Sequence, residues 1–323
     1  MNSLHRALEV LEGGMLSLVE DGGRQHVAHL GLTQGGVMDR HAWAWGNRLL
    51  GNHWGEAAIE ITIGGFKGRF SQATQIALTG ADLNTRLNGQ PVATWETLTI
   101  KAGDLLETGH AAQGLRGYLC VRGGWKTPVG LGNSRSAIVR EQLGGQDGLG
   151  SPLKAGDQLS YACTRDTDQG RPCSVPLTFR PAYQAPLILD FCDNPASPLP
   201  AQLIETLLAQ RWTLSSRSNR MAALLDGQPL QVERYPLVSS GVAAGTLQLP
   251  PSGQPIILLN ERQSIGGYPQ LGFVTLRSLD RLAQGRPGEV IQFRRISLAE
   301  AQQQEGEFLS FFQHSDQAPI RSI

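Results

Sequence analysis

Hydrophobic positions along the chain come in short runs, each closed by glycine, proline or asparagine. Residues 76–79 (IALT) stop at Gly80, 95–100 (WETLTI) at Lys101-Ala102-Gly103, and 117–122 (GYLCVR) at Gly123-Gly124. Further on, 246–249 (TLQL) stop at Pro250-Pro251, and 255–260 (PIILLN) and 273–276 (FVTL) follow. Short runs rich in β-branched and apolar residues with this punctuation predict strands. Helical periodicity is confined to a few windows. Residues 39–50 open on Asp39, a residue type that caps helices, then space Ala42, Trp45 and Leu49 on one face before Gly51. Residues 200–210 open on Pro200 and place Leu203, Leu207 and Leu208 together. Residues 278–284 and 297–304 give shorter helices.

One local pattern recurs. It reads KAGDLLE at 101–107, KAGDQLS at 154–160 and RPGEVIQ at 286–292: a basic residue, a turn, an acidic residue and the start of a strand. The three copies are read as equivalent turns leading into closing strands. Residues 165–186 are polar and carry four prolines, the composition of a linker. This divides the chain into a first lobe at 1–170, a linker at 171–186 and a second lobe at 187–323. The expected class is mainly β, with two barrel lobes and a few short helices.

Composition supports that class. Gly (39) and Pro (18) are abundant in the 323 residues, as an all-β chain with many tight turns requires. Lys+Arg and Asp+Glu are both 28, so no basic excess favours nucleic acid or an anionic membrane as a partner. No apolar run approaches the ~20 residues that span a bilayer, and the first residues lack a signal-peptide core. Cys120, Cys163, Cys173 and Cys192 form no C-x-x-C pair. Reduced thiols and a cytoplasmic location are expected. P-loop, G-x-S-x-G, H-E-x-x-H, dinucleotide-fingerprint and biotin-attachment patterns are all missing. His26, His29 and His41 lie near Asp39 but are read as loop residues, so no metal site is expected.

Four stretches carry candidate chemistry. Residues 20–52 set glycine pairs around Arg24, then Gly35-Gly36, Asp39 and Asn47. Backbone N–H groups beside a fixed cation suit a carboxylate or phosphate; a turn-rich rim with Asp39 as a helix cap fits equally well. Glu60 and Asp82 flank turns at strand ends and are read as solvated loop carboxylates. Ser218-Asn219-Arg220-Met221 offers donors, acceptors and a guanidinium able to clamp a carboxylate. Residues 245–270 alternate Gln248, Gln254, Asn260 and Gln263 with apolar positions, then turn at Gly266-Gly267-Tyr268-Pro269. Amide side chains both donate and accept, which suits an amide or lactam, or the interior of a barrel.

Read in order, EDGGR, GGVMDRHAWAWGNRLLGN, IEITIGG, LTGAD, YLCVRGG, LGGQDG, SNRM, GTLQLPPSGQPIILLNERQSIGGYPQ and LAQGRPGEVIQF run from residue 20 to residue 293. On these stretches the chain resembles the family of 5-oxoprolinase C subunits, also called allophanate hydrolase subunit 2 or KipI-antagonist. It is also similar to the carboxyltransferase part of urea carboxylase. The resemblance implies two cyclophilin-like β-barrel lobes and a complex with two further chains, the KipI-like B subunit of 5-oxoprolinase and its separate A subunit. The implied reaction is ATP-dependent opening of 5-oxo-L-proline to L-glutamate, with ATP bound together with the partners. An alternative is a biotin-dependent carboxyltransferase acting on urea or a related amide. Another is a non-catalytic partner of a KipI-like kinase inhibitor. The expected site takes Asp39, Arg220 and Tyr268 as catalytic residues. Arg24, Asn47, Ser218, Asn219, Gln248, Gln254 and Gln263 bind substrate, with Arg24 and Arg220 holding carboxylate or phosphate. The sequence departs from the family pattern at Cys192-Asp193-Asn194-Pro195, Ala222-Ala223-Leu224, Ser239-Ser240-Gly241 and Ile265.

Overall fold

The computed structural model describes residues 7–161, 172–184, 186–197, 199–231 and 239–313. It is mainly β, and its residues group into two compact units. Of the described residues, those within 7–25, 35–182 and 312–313 belong to the first, and those within 26–34 and 183–311 to the second.

The first unit holds strands β1 (Ala7–Gly13), β2 (Leu16–Glu20), β3 (Ala58–Thr62), β4 (Phe66–Phe70), β5 (Thr74–Asp82), β6 (Arg86–Leu87) and β7 (Gln90–Pro91), and helix α1 (Arg40–Leu49). It continues with β8 (Glu96–Ile100), β9 (Leu105–Glu107), β10 (Gln113–Val121), β11 (Trp125–Lys126) and β12 (Gln158–Tyr161). They form a seven-stranded sheet, β11-β12-β1-β4-β9-β6-β7, and a five-stranded sheet, β2-β3-β10-β5-β8. Alternate side chains of the two sheets meet in one core, with Leu8, Val10 and Phe66 from one and Ile59, Ile76 and Leu119 from the other, all buried. Helix α1 packs against β5 and β10.

The second unit holds β13 (Leu187–Asp193), α2 (Ala201–Ala209), β14 (Trp212–Leu214), β15 (Ala222–Asp226), β16 (Ser240–Gly241), β17 (Thr246–Gln248) and β18 (Ile256–Leu258). It continues with β19 (Ile265–Gly266), β20 (Gln270–Val274), α3 (Leu276–Leu282), β21 (Val290–Arg295) and most of α4 (Leu298–Gln313). Its strands close into a barrel, β13-β20-β17-β18-β15-β14-β21, and β16 pairs with β19 as a separate two-stranded sheet. Closure leaves no barrel edge exposed.

The three recurring turns are one structure. In Lys101–Asp104, Lys154–Asp157 and Arg286–Glu289 the last N–H donates to the first carbonyl (3.2, 3.1 and 3.1 Å). The third residue is a glycine at φ +89°, +92° and +89°, a conformation that costs any residue with a Cβ. Each turn is also clipped to another chain segment by the same two bonds. The glycine N–H donates to the carbonyl of Phe70, Val10 or Leu214, and that residue's N–H returns to the acidic residue's carbonyl, all at 2.7–2.9 Å. The turns therefore align β9, β12 and β21 with their neighbours.

Three expectations change. The stretch read as a linker is, over 173–180, part of the first unit: Thr97 N–H donates to the Cys173 carbonyl (2.9 Å), Val175 N–H to the Trp95 carbonyl (2.8 Å), and the Phe179 and Trp45 rings lie 5.4 Å apart. It covers the outer edge of β8, which would otherwise expose a row of backbone groups. The strand expected at 273–276 stops at Val274, because the Thr275 side chain caps α3, accepting from Ser278 N–H. The helix expected at 297–304 runs on to Gln313. It passes through Gly306, which costs ~1 kcal/mol relative to alanine, and is held by buried Phe308 with the Arg277 guanidinium 3.7 Å over its ring. Residues 162–171, with Cys163, lie outside the described residues; Cys120, Cys173 and Cys192 are free thiols.

Candidate functional site

In the first unit the glycine pairs shape a slot for a side chain. Arg24 follows β2 and is buried, donating from Nη2 to the Ser136 carbonyl at 2.6 Å. A Cβ added at Gly144 would sit 2.6 Å from that Nη2 and 2.0 Å from the Ser136 carbonyl oxygen; one added at Gly35 would sit 3.2 Å from Nη1. The protein's own backbone thus lies close beside both Nη atoms of the guanidinium. Beside it, the buried Asp21 carboxylate takes four donors. Gly23 N–H (2.9 Å) and the Ser134 and Ser136 hydroxyls (2.7 Å each) reach Oδ1, and Arg135 N–H reaches Oδ2 (2.6 Å). One carboxylate so ties the end of β2 to the 134–136 segment.

A second buried set positions α1. Glu60 on β3 is not solvated, as the sequence reading had it, but buried. Its Oε2 accepts from Met38 N–H and from the Tyr118 hydroxyl, both at 2.8 Å, and Arg116 Nε lies 3.4 Å from Oε1. The Tyr118 oxygen accepts from Asp39 N–H at 2.8 Å. Asp39 itself caps α1, its Oδ1 accepting from Ala42 N–H at 3.0 Å. One oxygen of its carboxylate is thus used at the helix end. Asn47 is likewise structural. Its Nδ2 donates to the Glu56 carbonyl at 2.9 Å and its Oδ1 accepts from Asn52 at 2.8 Å, fixing the loop after α1.

Burial, and then the neighbouring Glu60 and Asp39 carboxylates, hold the Tyr118 phenol well above its ordinary pKa. The native state then keeps this proton more tightly than the unfolded chain. Its contribution to stability is complete below about pH 10, the unfolded value, and is lost as pH rises from there through the folded value. Urea unfolding at stepped pH should show an alkaline decline in stability of up to ~1.4 kcal/mol per pH unit from this residue. Tyr118→Phe should flatten that decline while lowering stability at neutral pH, and an unchanged alkaline slope would refute the assignment.

In the second unit the β15–β18 ladder continues past both strands. Leu259 N–H donates to the Met221 carbonyl (2.8 Å) and Glu261 N–H to the Arg220 carbonyl (3.0 Å). That register sets Arg220 against Glu261, and Nε donates to Oε1 with both side chains buried. Arg262 follows, its Nη1 donating to the Leu259 carbonyl and its Nε to the Val242 carbonyl, both at 3.3 Å. The β16–β19 pair is joined to this segment by Val242 N–H on the Ser264 carbonyl (3.1 Å), and β19 leads to the exposed Tyr268. Buried Gln248 on β17 donates to the Tyr268 carbonyl at 3.4 Å. By the strand registers Gln248 stands opposite Ile256 at the start of β18, with Tyr268 beside it, whereas Arg220, Glu261 and Arg262 lie past Leu258 at the other end of that strand. Each group offers polar contacts of its own, an amide and a phenol in one and guanidinium groups in the other.

The remaining expected residues serve turns. Ser218 Oγ accepts from Leu224 N–H (3.0 Å), and Asn219 Oδ1 from Met221 and Ala222 N–H (2.8 and 3.2 Å). Gln254 pairs with both backbone groups of Gly227, at 3.0 and 2.9 Å. Ser218 and Asn219 bond nearby main chain, and Gln254 bonds main chain 27 positions away. Gln263 is exposed one residue past Arg262. The expected set therefore splits between the units, with Arg24, Asp39 and Asn47 in the first. Glu261 and Arg262 went unnoticed in the sequence. The signal was a pair of adjacent charges ending an apolar strand. Among the described residues no group of three His, Cys, Asp or Glu is placed to hold a metal, and no helix is long and apolar enough to cross a membrane.

Residues 30–295 match the family profile of the carboxyltransferase domain, subdomain A and B. The chain is 35% identical over 295 residues to the 5-oxoprolinase C subunit of Haemophilus influenzae, covering 91% of this chain and 93% of that one. It is 34% identical over 298 residues to the Escherichia coli protein of that name, with the same coverage of both chains. It also resembles the crystal structure of K. lactis urea amidolyase (26% identity, TM-score 0.88) over 100% of its own length but only 21% of that chain. By its matched profile and its identity to two full-length relatives, the chain belongs to the carboxyltransferase-domain (subdomain A and B) family.

Proposed function

We infer that the chain is the C subunit of an ATP-dependent 5-oxoprolinase, which opens 5-oxo-L-proline to L-glutamate together with a KipI-like B subunit and the A subunit. The observation that carries this reading is end-to-end correspondence. The chain covers 93% of the H. influenzae 5-oxoprolinase C subunit, whereas it corresponds to about a fifth of the urea amidolyase chain. A lactam is a poor electrophile, so its oxygen is activated at the expense of ATP before water attacks the carbon. The second unit supplies polar groups suited to a small lactam, the Gln248 amide and the Tyr268 phenol, and guanidinium groups at Arg220 and Arg262. In this reading ATP is bound together with the partner subunits.

The test is reconstitution. Glutamate release from 5-oxo-L-proline is expected only when the chain is mixed with the A and B subunits and ATP, with the isolated chain inactive. The urea carboxylase resemblance favours one alternative, a biotin-dependent carboxyltransferase. Carboxyl transfer to urea or a related amide from carboxybiotin, with no glutamate released by the complete mixture, would select it.

A further inference from the structure

Five arginines of the second unit are answered by acids. Arg217 pairs with Asp226, Arg220 with Glu261, Arg277 with Asp280, Arg294 with Asp190, and Arg295 with Asp193 and Glu205. Arg262 differs from these five. It is partly buried, yet no carboxylate reaches it among the described residues, and the adjacent Glu261 is committed to Arg220. Its two side-chain bonds go to main-chain carbonyls, Nε to Val242 and Nη1 to Leu259, both at 3.3 Å. Burial lowers its pKa, and no acid raises it. A guanidinium carries five donors in a fixed fork, so three remain after these two bonds. The carbonyls fix its orientation without neutralising it, and Thr33 Oγ1 holds its main chain by donating to the Arg262 carbonyl at 3.4 Å. A partly desolvated, oriented and uncompensated cation is what an anion site requires before its ligand arrives.

We propose that Arg262, held by the Val242 and Leu259 carbonyls, is an oxyanion-binding residue of the second unit that receives a carboxylate or phosphate group of a small ligand. The role expected of Arg220 passes to its unpaired neighbour. The site needs only an oxyanion and does not depend on the lactam reading, so it is tested without turnover.

The experiment is a phenylglyoxal footprint of the full chain, with the Arg262 adduct followed by peptide mass spectrometry. Three additions are compared: 5-oxo-L-proline, 2-pyrrolidinone, which is the same lactam ring without the carboxylate, and inorganic phosphate. Adduct formation should slow about tenfold or more at saturating oxyanion, the scale of one charge-assisted paired contact, and stay unchanged with 2-pyrrolidinone. Protection by 5-oxo-L-proline alone identifies a carboxylate site; protection by phosphate as well identifies a general oxyanion site. Protection by 2-pyrrolidinone, equal rates in all conditions, or no Arg262 adduct at all would overturn the proposal. Calorimetric titration of the protective anion into Arg262→Gln and Arg262→Lys gives the second measure. Glutamine should weaken binding about tenfold or more and lysine less, since it keeps the charge and loses the fork. Unchanged affinity in Arg262→Gln would also overturn it, and the wild-type footprint decides alone where a variant does not fold.

Discussion

Asp21→Ala should be among the most damaging single substitutions in the first unit, lowering the unfolding free energy by ~4–6 kcal/mol, since each stranded buried donor costs about 1–3 kcal/mol. The Asp21 carboxylate is buried and accepts from two serine hydroxyls and two main-chain N–H groups at 2.6–2.9 Å. Alanine removes every one of those acceptors at once. Part of the loss is recoverable, because Ser136 Oγ also accepts from Asp21 N–H and Ser134 Oγ from Ser136 N–H. A domain holds only about 5–15 kcal/mol in total, so the variant should be partly unfolded at 37 °C. Asp21→Asn should cost less, because it keeps an acceptor for the three donors on Oδ1 and turns one N–H toward Arg135 N–H. Urea unfolding of both variants checks this. A cost below ~1 kcal/mol for Asp21→Ala would show that the surrounding loops satisfy those donors elsewhere.

The second large effect lies in the barrel unit. Glu261→Ala leaves the Arg220 guanidinium buried without its counter-charge, which costs ~3–5 kcal/mol. Arg220→Ala is comparably disruptive from the other side, because it strands Glu261. A double variant, Arg220→Met with Glu261→Leu, removes both charges and should recover most of the single-variant loss, since well-packed apolar replacements of buried pairs are often neutral. The double variant also separates structure from function. A stable protein that still supports full turnover with its partners would confine the pair to holding the Met221–Leu259 register. A stable protein without turnover would place the Arg220 guanidinium on the substrate. Equal losses in the single and double variants would show that the pair is not coupled as its geometry indicates.

Local geometry was legible where a residue type is selected by its own backbone. Gly103, Gly156 and Gly288 mark three turns because only glycine takes φ near +90° cheaply, and the acidic residue after each was visible with it. Asp39 was readable as a helix cap for the same local reason, the first turn of α1 having N–H groups without intrahelical partners. The family resemblance was readable because long stretches such as residues 245–270 keep their order along the chain. The polar chemistry was harder. Asn47, Ser218, Asn219 and Gln254 look like ligands in a sequence, because side chains that bond substrate and side chains that bond main chain are the same amides and hydroxyls. Glu60 read as solvated because its partner Tyr118 lies 58 positions away.

The amino-acid sequence by itself determined the mainly-β class, the turns, the helix starts and the family, because each depends on conformational preferences and patterns carried over a few consecutive residues. Only the tertiary structure decided which charges are neutralised and which are not. Arg24 is enclosed by Gly35, Gly144 and Ser136, and Arg220 is paired with Glu261 through the continued ladder beyond β15 and β18. Arg262 is left with two carbonyls and no acid among the described residues. Electrostatic compensation acts through space, over a few ångströms and without regard to chain separation, so the arginine left to meet an anion appears only once the strands are paired.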